Sequence, residues 1–158
     1  MNKVIIRPAV IGDCEALVLL ITELAIYEKA EREVEITAAQ LRKDGFGSQP
    51  QFQVIVAELD GQIIGMAFYY YKYSTWKGRC LYLEDLVVKE ACRKSGVGSE
   101  LFEAVIKVAT REKVKRMEWQ VLDWNEPAIK FYRKYEAELD EEWMNGRFYE
   151  KDLLKFES

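Results

Sequence analysis

Tyr82-Leu-Glu-Asp-Leu-Val-Val-Lys-Glu-Ala-Cys-Arg-Lys-Ser-Gly-Val-Gly-Ser99 is the stretch whose reading decides the fold. Leu81, Leu83, Leu86, Val87 and Val88 form an apolar run of strand length. Ser95, Gly96 and Gly98 interrupt it, and Leu101, Phe102, Val105, Ile106, Val108 and Ala109 then recur at helical spacing. The pattern predicts a strand, a basic glycine loop and a helix. Such a loop can hold phosphate, because the first N–H groups of a helix point outward unpaired and the helix dipole favours an anion.

Composition narrows the possibilities. The chain has 158 residues, enough for one ordinary domain covering 1–158, and a 49% hydrophobic share can build a sizeable core. A net charge of −4 with both signs plentiful argues against a nucleic-acid binder. No signal peptide opens the sequence, no apolar run of about 18 residues could span a membrane, and the three cysteines lack CxxC spacing. The expected setting is therefore cytoplasmic and reducing. Histidine is absent, which removes the usual general base, the commonest zinc ligand and every Ser-His or Cys-His dyad; no metal is implied.

Around the central stretch, Val4–Arg7 reads as a strand and Asp13 as the cap of a helix from Cys14 to about Tyr27. Seven acids lie between Asp13 and Glu35, forming either a solvated face or an acidic wall for a cationic ligand. Thr37 caps a short helix, and Asp60-Gly61 joins strands 52–59 and 62–73 as a hairpin. The aromatic run Phe68, Tyr69, Tyr70, Tyr71 and Tyr73 reads as sheet packing, or as a pocket or dimer surface. Strand 116–121 follows the long helix, Asn125 caps a further helix with Pro127 in its first turn, and 137–143 with 147–153 reads as a closing strand pair. The expected class is α/β of the α+β kind, a mixed sheet flanked by helices.

Two nucleotide-loop readings fail on spacing. A Walker A loop needs Lys-Ser or Lys-Thr where Ser99-Glu100 stands, and a Rossmann loop needs a small residue where Leu101 stands. Arg93-x-x-Gly96-x-Gly98 instead resembles the acyl-CoA loop of the GNAT N-acetyltransferases. Asn125-Glu-Pro-Ala-Ile-Lys-Phe-Tyr132 matches that family's second element. Ile5-Ile-Arg-Pro-Ala9, Tyr27-Glu28, Asp44-Gly-Phe-Gly47, Tyr82-Leu-Glu-Asp85 and Trp124-Asn-Glu-Pro127 further resemble the diamine (spermidine/spermine) N-acetyltransferases, and thialysine acetyltransferases share much of this pattern. One departure is Glu136-Ala137, where the family has a glycine to cap the helix.

The resemblance implies a GNAT fold with a mixed, mostly antiparallel twisted sheet, acetyl-CoA as co-substrate and direct transfer to a primary amine in a ternary complex. Glu84 would be the general base, its alternative being an ion-paired strand residue. Asp85 is the second choice, or a substrate carboxylate if the strand is bulged. Tyr132 would be the general acid for the thiol. Leu86, Val87 and Val88 would offer main chain to the pantetheine arm, and Lys94, Ser95, Gly96, Val97, Gly98 and Ser99 would cradle the pyrophosphate. Arg93 either binds phosphate or pairs with Glu90. Asn125, Glu126, Pro127 and Ala128 would touch CoA. Tyr27, Glu28, Glu84, Asp85 and Glu141 or Glu142 would meet the amine. The implied substrate is a diamine or polyamine first and a thialysine- or lysine-like amino acid second. A protein-acetylating enzyme and a non-catalytic acyl-CoA-binding module are the alternatives. The resemblance also implies a homodimer.

Overall fold

A computed structural model describes residues 2–157, which fall into two compact units divided after Gln120. The first unit contains a five-stranded sheet in the order β1-β2-β3-β4-β5. Its strands are β1 (Ile5–Pro8), β2 (Gln53–Leu59), β3 (Gln62–Ser74), β4 (Gly78–Val88) and β5 (Met117–Glu118). The first three pairings are antiparallel and β4–β5 is parallel, so the expected mixed, mostly antiparallel sheet is what forms.

Helices α1 (Cys14–Tyr27) and α2 (Ala38–Gly45) pack on one face of the sheet and α3 (Val97–Arg111) on the other. Adjacent residues of β3 show this division, since neighbours along a strand face opposite ways. Met66 joins the core cluster of Leu17, Leu20, Leu41 and Val56, whereas the Cβ position of Gly65 meets Leu101 Cδ1 at 3.1 Å and the Val87 carbonyl at 3.0 Å. A side chain at residue 65 would crowd the Val87 carbonyl and force Leu101 of α3 to give by a few tenths of an ångström.

Local chemistry sets several boundaries. Asp60 and Gly61 both have positive φ, 51° and 77°, as a tight two-residue hairpin turn requires. Thr37 Oγ1 accepts the Gln40 N–H at the start of α2. Asp13 occupies the position before α1 but does not cap it. Its carboxylate accepts from Arg7 Nη1 at 2.8 Å, Arg7 Nη2 at 3.1 Å and the Val10 N–H at 2.8 Å. The two-pronged guanidinium outcompetes the helix N–H groups, because charge-assisted paired bonds are the stronger kind. Arg7 Nε also donates to Glu58, so the cluster ties β1 to both β2 and α1.

Asp13→Ala is expected to cost about 2 kcal/mol in urea denaturation at pH 7, since it removes a charge-assisted pair of bonds from Arg7, which keeps Glu58, and leaves the Val10 N–H without its acceptor. The Arg7 bonds hold the Asp13 carboxyl below its usual range. Its stabilisation is therefore complete above the unfolded value of about 4 and fades as pH falls through the lower folded value. The gap between the two proteins should close in acid.

Two strand expectations need correction. The strand expected at 116–121 is ordered as a strand only over Met117–Glu118. The closing pair expected at 137–143 and 147–153 does not form; residues 137–149 have no regular structure, and α5 (Glu150–Leu153) with a 3-10 turn at Leu154–Phe156 follows. Acidic residues are poor strand formers, and the Glu142 N–H turns back onto Asp140 Oδ1 at 2.7 Å, breaking the extended run. Tyr149 N–H donates to Asp152 Oδ2, starting a helix where a strand was expected. The second unit also holds α4 (Glu126–Arg133), which Asn125 Oδ1 caps by accepting the Ala128 N–H, with Pro127 in the first turn.

Candidate active site

The centre of β4 is irregular. Phe68 pairs with Asp85 and Tyr69 with Leu83, so Glu84 is an extra residue with no partner on β3. A bulge of this kind breaks the alternation of side chains and increases strand twist. Glu84 and Asp85, adjacent in sequence, consequently line the same cleft instead of opposite faces. The parallel β4–β5 pairing ends just before it, at Leu81–Met117 and Tyr82–Glu118. From Leu83 to Val87 the far edge of β4 has no strand beside it among the described residues, leaving main-chain groups open, and at Val88 the carbonyl accepts from Arg93 Nε.

The cleft beside the bulge measures about 370 Å³, and Asp44, Phe52, Phe68 and Tyr70 line it with the two β4 carboxylates. A second cleft of about 400 Å³ is lined by Glu28, Glu33 and Glu35 near the end of α1. Ile21, Ile36 and Asp85 belong to both, so the two form one groove with Asp85 at the junction. Every charged residue in this lining is a carboxylate. Three of the seven acids between Asp13 and Glu35 thus form an acidic wall.

Burial first, and then the nearby charges of Glu84 and Glu28, raise the Asp85 carboxyl to about 7. Burial also raises Glu28. Tyr70 donates a long hydrogen bond, 3.4 Å, to Glu84 Oε2. Burial, with the Glu84 charge second, pushes the Tyr82 phenol up to about 12, and its ring lies 5.3 Å from that of Tyr70. The Asp44 side chain accepts from Gln40 Nε2 at 2.7 Å. Sequence reasoning did not single out Asp44, Phe52, Glu33 or Glu35 as site residues. Only the Asp44-Gly-Phe-Gly47 motif and the acid-rich segment signalled them. Tyr27 is half-exposed beside Glu28, with its ring facing Arg93, and does not line the groove.

Beyond Val88, a 3-10 turn at Glu90–Cys92 leads into the glycine loop. Lys94 and Gly96 have positive φ, 63° and 89°, and Gly96 stands immediately before α3. No side chain caps this helix, so the N–H groups of Val97, Gly98 and Ser99 are presented outward. A Cβ at Gly98 would make ordinary contact with Val88 Cγ2 at 3.9 Å, and one at Gly96 would face open space at the helix start. An open strand edge followed by an uncapped helix start under basic residues suits a long phosphorylated thioester. The arm can pair with main chain and the pyrophosphate can take the N–H groups. Among the described residues, no cluster of three or more His, Cys, Asp or Glu is placed to hold a metal ion. Likewise, no described helix is long and apolar enough to cross a membrane.

In the second unit, Tyr132 is a buried residue of α4 with its ring edge-on to Phe131 at 5.3 Å. Asn125, Glu126, Pro127 and Ala128 form the start of the same helix. Glu142 lies in the exposed segment after it.

Residues 20–136 match the Acetyltransferase (GNAT) family. The chain belongs to that family and is an acetyl-CoA-dependent N-acetyltransferase. The match runs across the division after Gln120, so both units contribute to the family domain. The chain is 41% identical over 146 residues to a thialysine N-epsilon-acetyltransferase of Bos taurus, covering 87% of this chain and 86% of that one. It is 36% identical to a spermidine/spermine N(1)-acetyltransferase-like protein of Homo sapiens, over 94% of this chain and 23% of that longer one. Among solved structures, an integron cassette protein from V. cholerae superposes with a TM-score of 0.77 at 25% identity, over 96% of each chain.

Proposed function

We propose that the protein acetylates a primary amine of a small polycation, a diamine or polyamine, by direct attack on acetyl-CoA in a ternary complex. The all-carboxylate groove meeting at Asp85 carries this reading. Spaced cations find carboxylates along its length, and Phe52, Phe68 and Tyr70 offer ring faces to the methylene chain and to cations. The names of relatives favour a second reading, a thialysine- or lysine-like amino acid. Its α-carboxylate would need a cation, which the groove lining does not contain.

An alkylammonium with a pKa of about 10.4 is neutral at pH 7 in only about one molecule in a few thousand, a cost of roughly 4–5 kcal/mol. Asp85 would take its proton, with burial and the Glu84 charge beside it raising its basicity, and Glu28 would hold a distal cation. Acetyl-CoA supplies the activated acetyl group. Main chain of Leu86–Val88 would hold its arm, the loop from Lys94 to Ser99 its pyrophosphate, and Asn125–Ala128 its remaining length, while Tyr132 would protonate the leaving thiol. Tyr27 and Glu142 complete the proposed amine contacts. We also propose a homodimer, because Trp143, Met144 and Phe148 stand largely exposed at 80%, 95% and 68%. A cytoplasmic setting suits three unbridged cysteines.

An amine panel followed by thiol release tests the substrate. Diamines and polyamines are expected to exceed lysine-like amino acids in kcat/KM by at least about tenfold, the effect of one misplaced buried charge. The reverse order would install the amino acid, and release only with peptides would install a protein acetyltransferase. Sizing chromatography tests the dimer.

A further inference from the structure

Arg93 is the residue a phosphate would be expected to claim, yet its guanidinium is engaged elsewhere. Nε donates to the Val88 carbonyl at 3.1 Å, Nη2 lies 3.8 Å from Glu23 Oε1, and the guanidinium carbon stands 5.3 Å from the centre of the Tyr27 ring. Glu23 Oε1 also accepts the Glu90 N–H at 3.0 Å. One carboxylate on α1 therefore holds both ends of the turn that leads from β4 into the glycine loop. Glu23 and Tyr27 are four residues apart on one helix face, so Arg93 bridges successive turns of α1. The residue after Tyr27 is Glu28, which lines the groove.

We propose that Glu23 and Arg93 form a positioning pair, locking the cofactor loop to the helix that supplies the amine groove's wall. The phosphates are then left to the α3 N–H groups and Lys94. This role rests on the acetyl-CoA and cationic-amine reading above, and it predicts effects opposite to those of a phosphate-binding Arg93. As a phosphate ligand, Arg93 would be released by Glu23→Gln, and CoA would bind more tightly. As a positioning residue, it needs Glu23, and loss of either partner disturbs both substrates.

The test is a double-mutant cycle with Glu23→Gln, Arg93→Gln and the double variant in the full chain. It reads CoA affinity by calorimetry at two salt concentrations, KM for an accepted amine, and thermal stability. Each single variant is expected to weaken CoA and raise the amine KM by about two- to fivefold, the range of a partly exposed ion pair. The double variant should be no worse than the worse single one, and the salt dependence of CoA binding should not change. Tighter CoA binding by Glu23→Gln, a reduced salt dependence in Arg93→Gln, or additive losses would each overturn the proposal. The CoA measurements stand even if the amine assignment fails, so the two failures are distinguishable.

Discussion

Asp85→Asn is expected to remove the limb of the pH–rate profile near pH 7 and to lower kcat/KM by about 10²–10⁴, the usual worth of a positioned general base. The reason lies in the bulge. Burial, Glu84 and Glu28 together hold the Asp85 carboxyl at about 7. A base at 7 receives a proton from an alkylammonium across a gap of about three units, whereas an ordinary carboxylate faces about six. The base works only when ionised, so the rate of the unmodified protein should rise as pH passes through about 7. In Glu84→Gln one of the charges raising Asp85 is gone, and the limb should move to lower pH while activity falls. If Glu84 alone is the base, Asp85→Asn will keep the limb and most of the rate.

Stability should move the other way. The folded pKa of Asp85 lies above its unfolded value of about 4, so the folded state binds this proton more tightly. The carboxylate is consequently a liability that grows between pH 4 and 7 and persists above. Asp85→Asn should raise the urea midpoint at pH 8 and leave it nearly unchanged at pH 4. A gain in stability with a loss of activity is the signature of a strained functional group.

These residues also show where reading the chain succeeded. Asp60-Gly61, Thr37 and Asn125 were legible because each acts on its own neighbours, through a positive φ or a single cap bond. Asp13 reads as a cap from its neighbours alone, but Arg7 holds its carboxylate, and the choice between partners depends on tertiary placement. The bulge at Glu84 could only be posed as a condition, since register belongs to a pair of strands and not to one. The groove was half visible. Glu28 and Glu84 came through resemblance, but Asp44, Glu33 and Glu35 come from α2 and the segment between α1 and α2, and only folding sets them opposite β4. Residues 137–149 carried strand-like alternation, but the described chain offers them no ladder.

Tyr132→Phe is expected to lower kcat by about 10–100-fold with both KM values nearly unchanged, the pattern of an interaction made only in the transition state. The size follows from the leaving group. A thiol has a pKa near 8.5, so at pH 7 its anion is disfavoured by about 1.5 units, or roughly 2 kcal/mol, and the acid can supply little more than that. The loss should shrink with acyl donors whose thiol is more acidic, because they depart without help. Phenylalanine keeps the ring and its edge-on packing against Phe131, so a kcat loss would not come from lost ring packing. A tyrosine that serves only α4 would give a shifted midpoint with a kcat within about twofold of the unmodified protein. Steady-state kinetics with two donors of different thiol acidity, beside a melting curve, separates the two roles. A loss that stays the same for both donors would remove Tyr132 from the proton path.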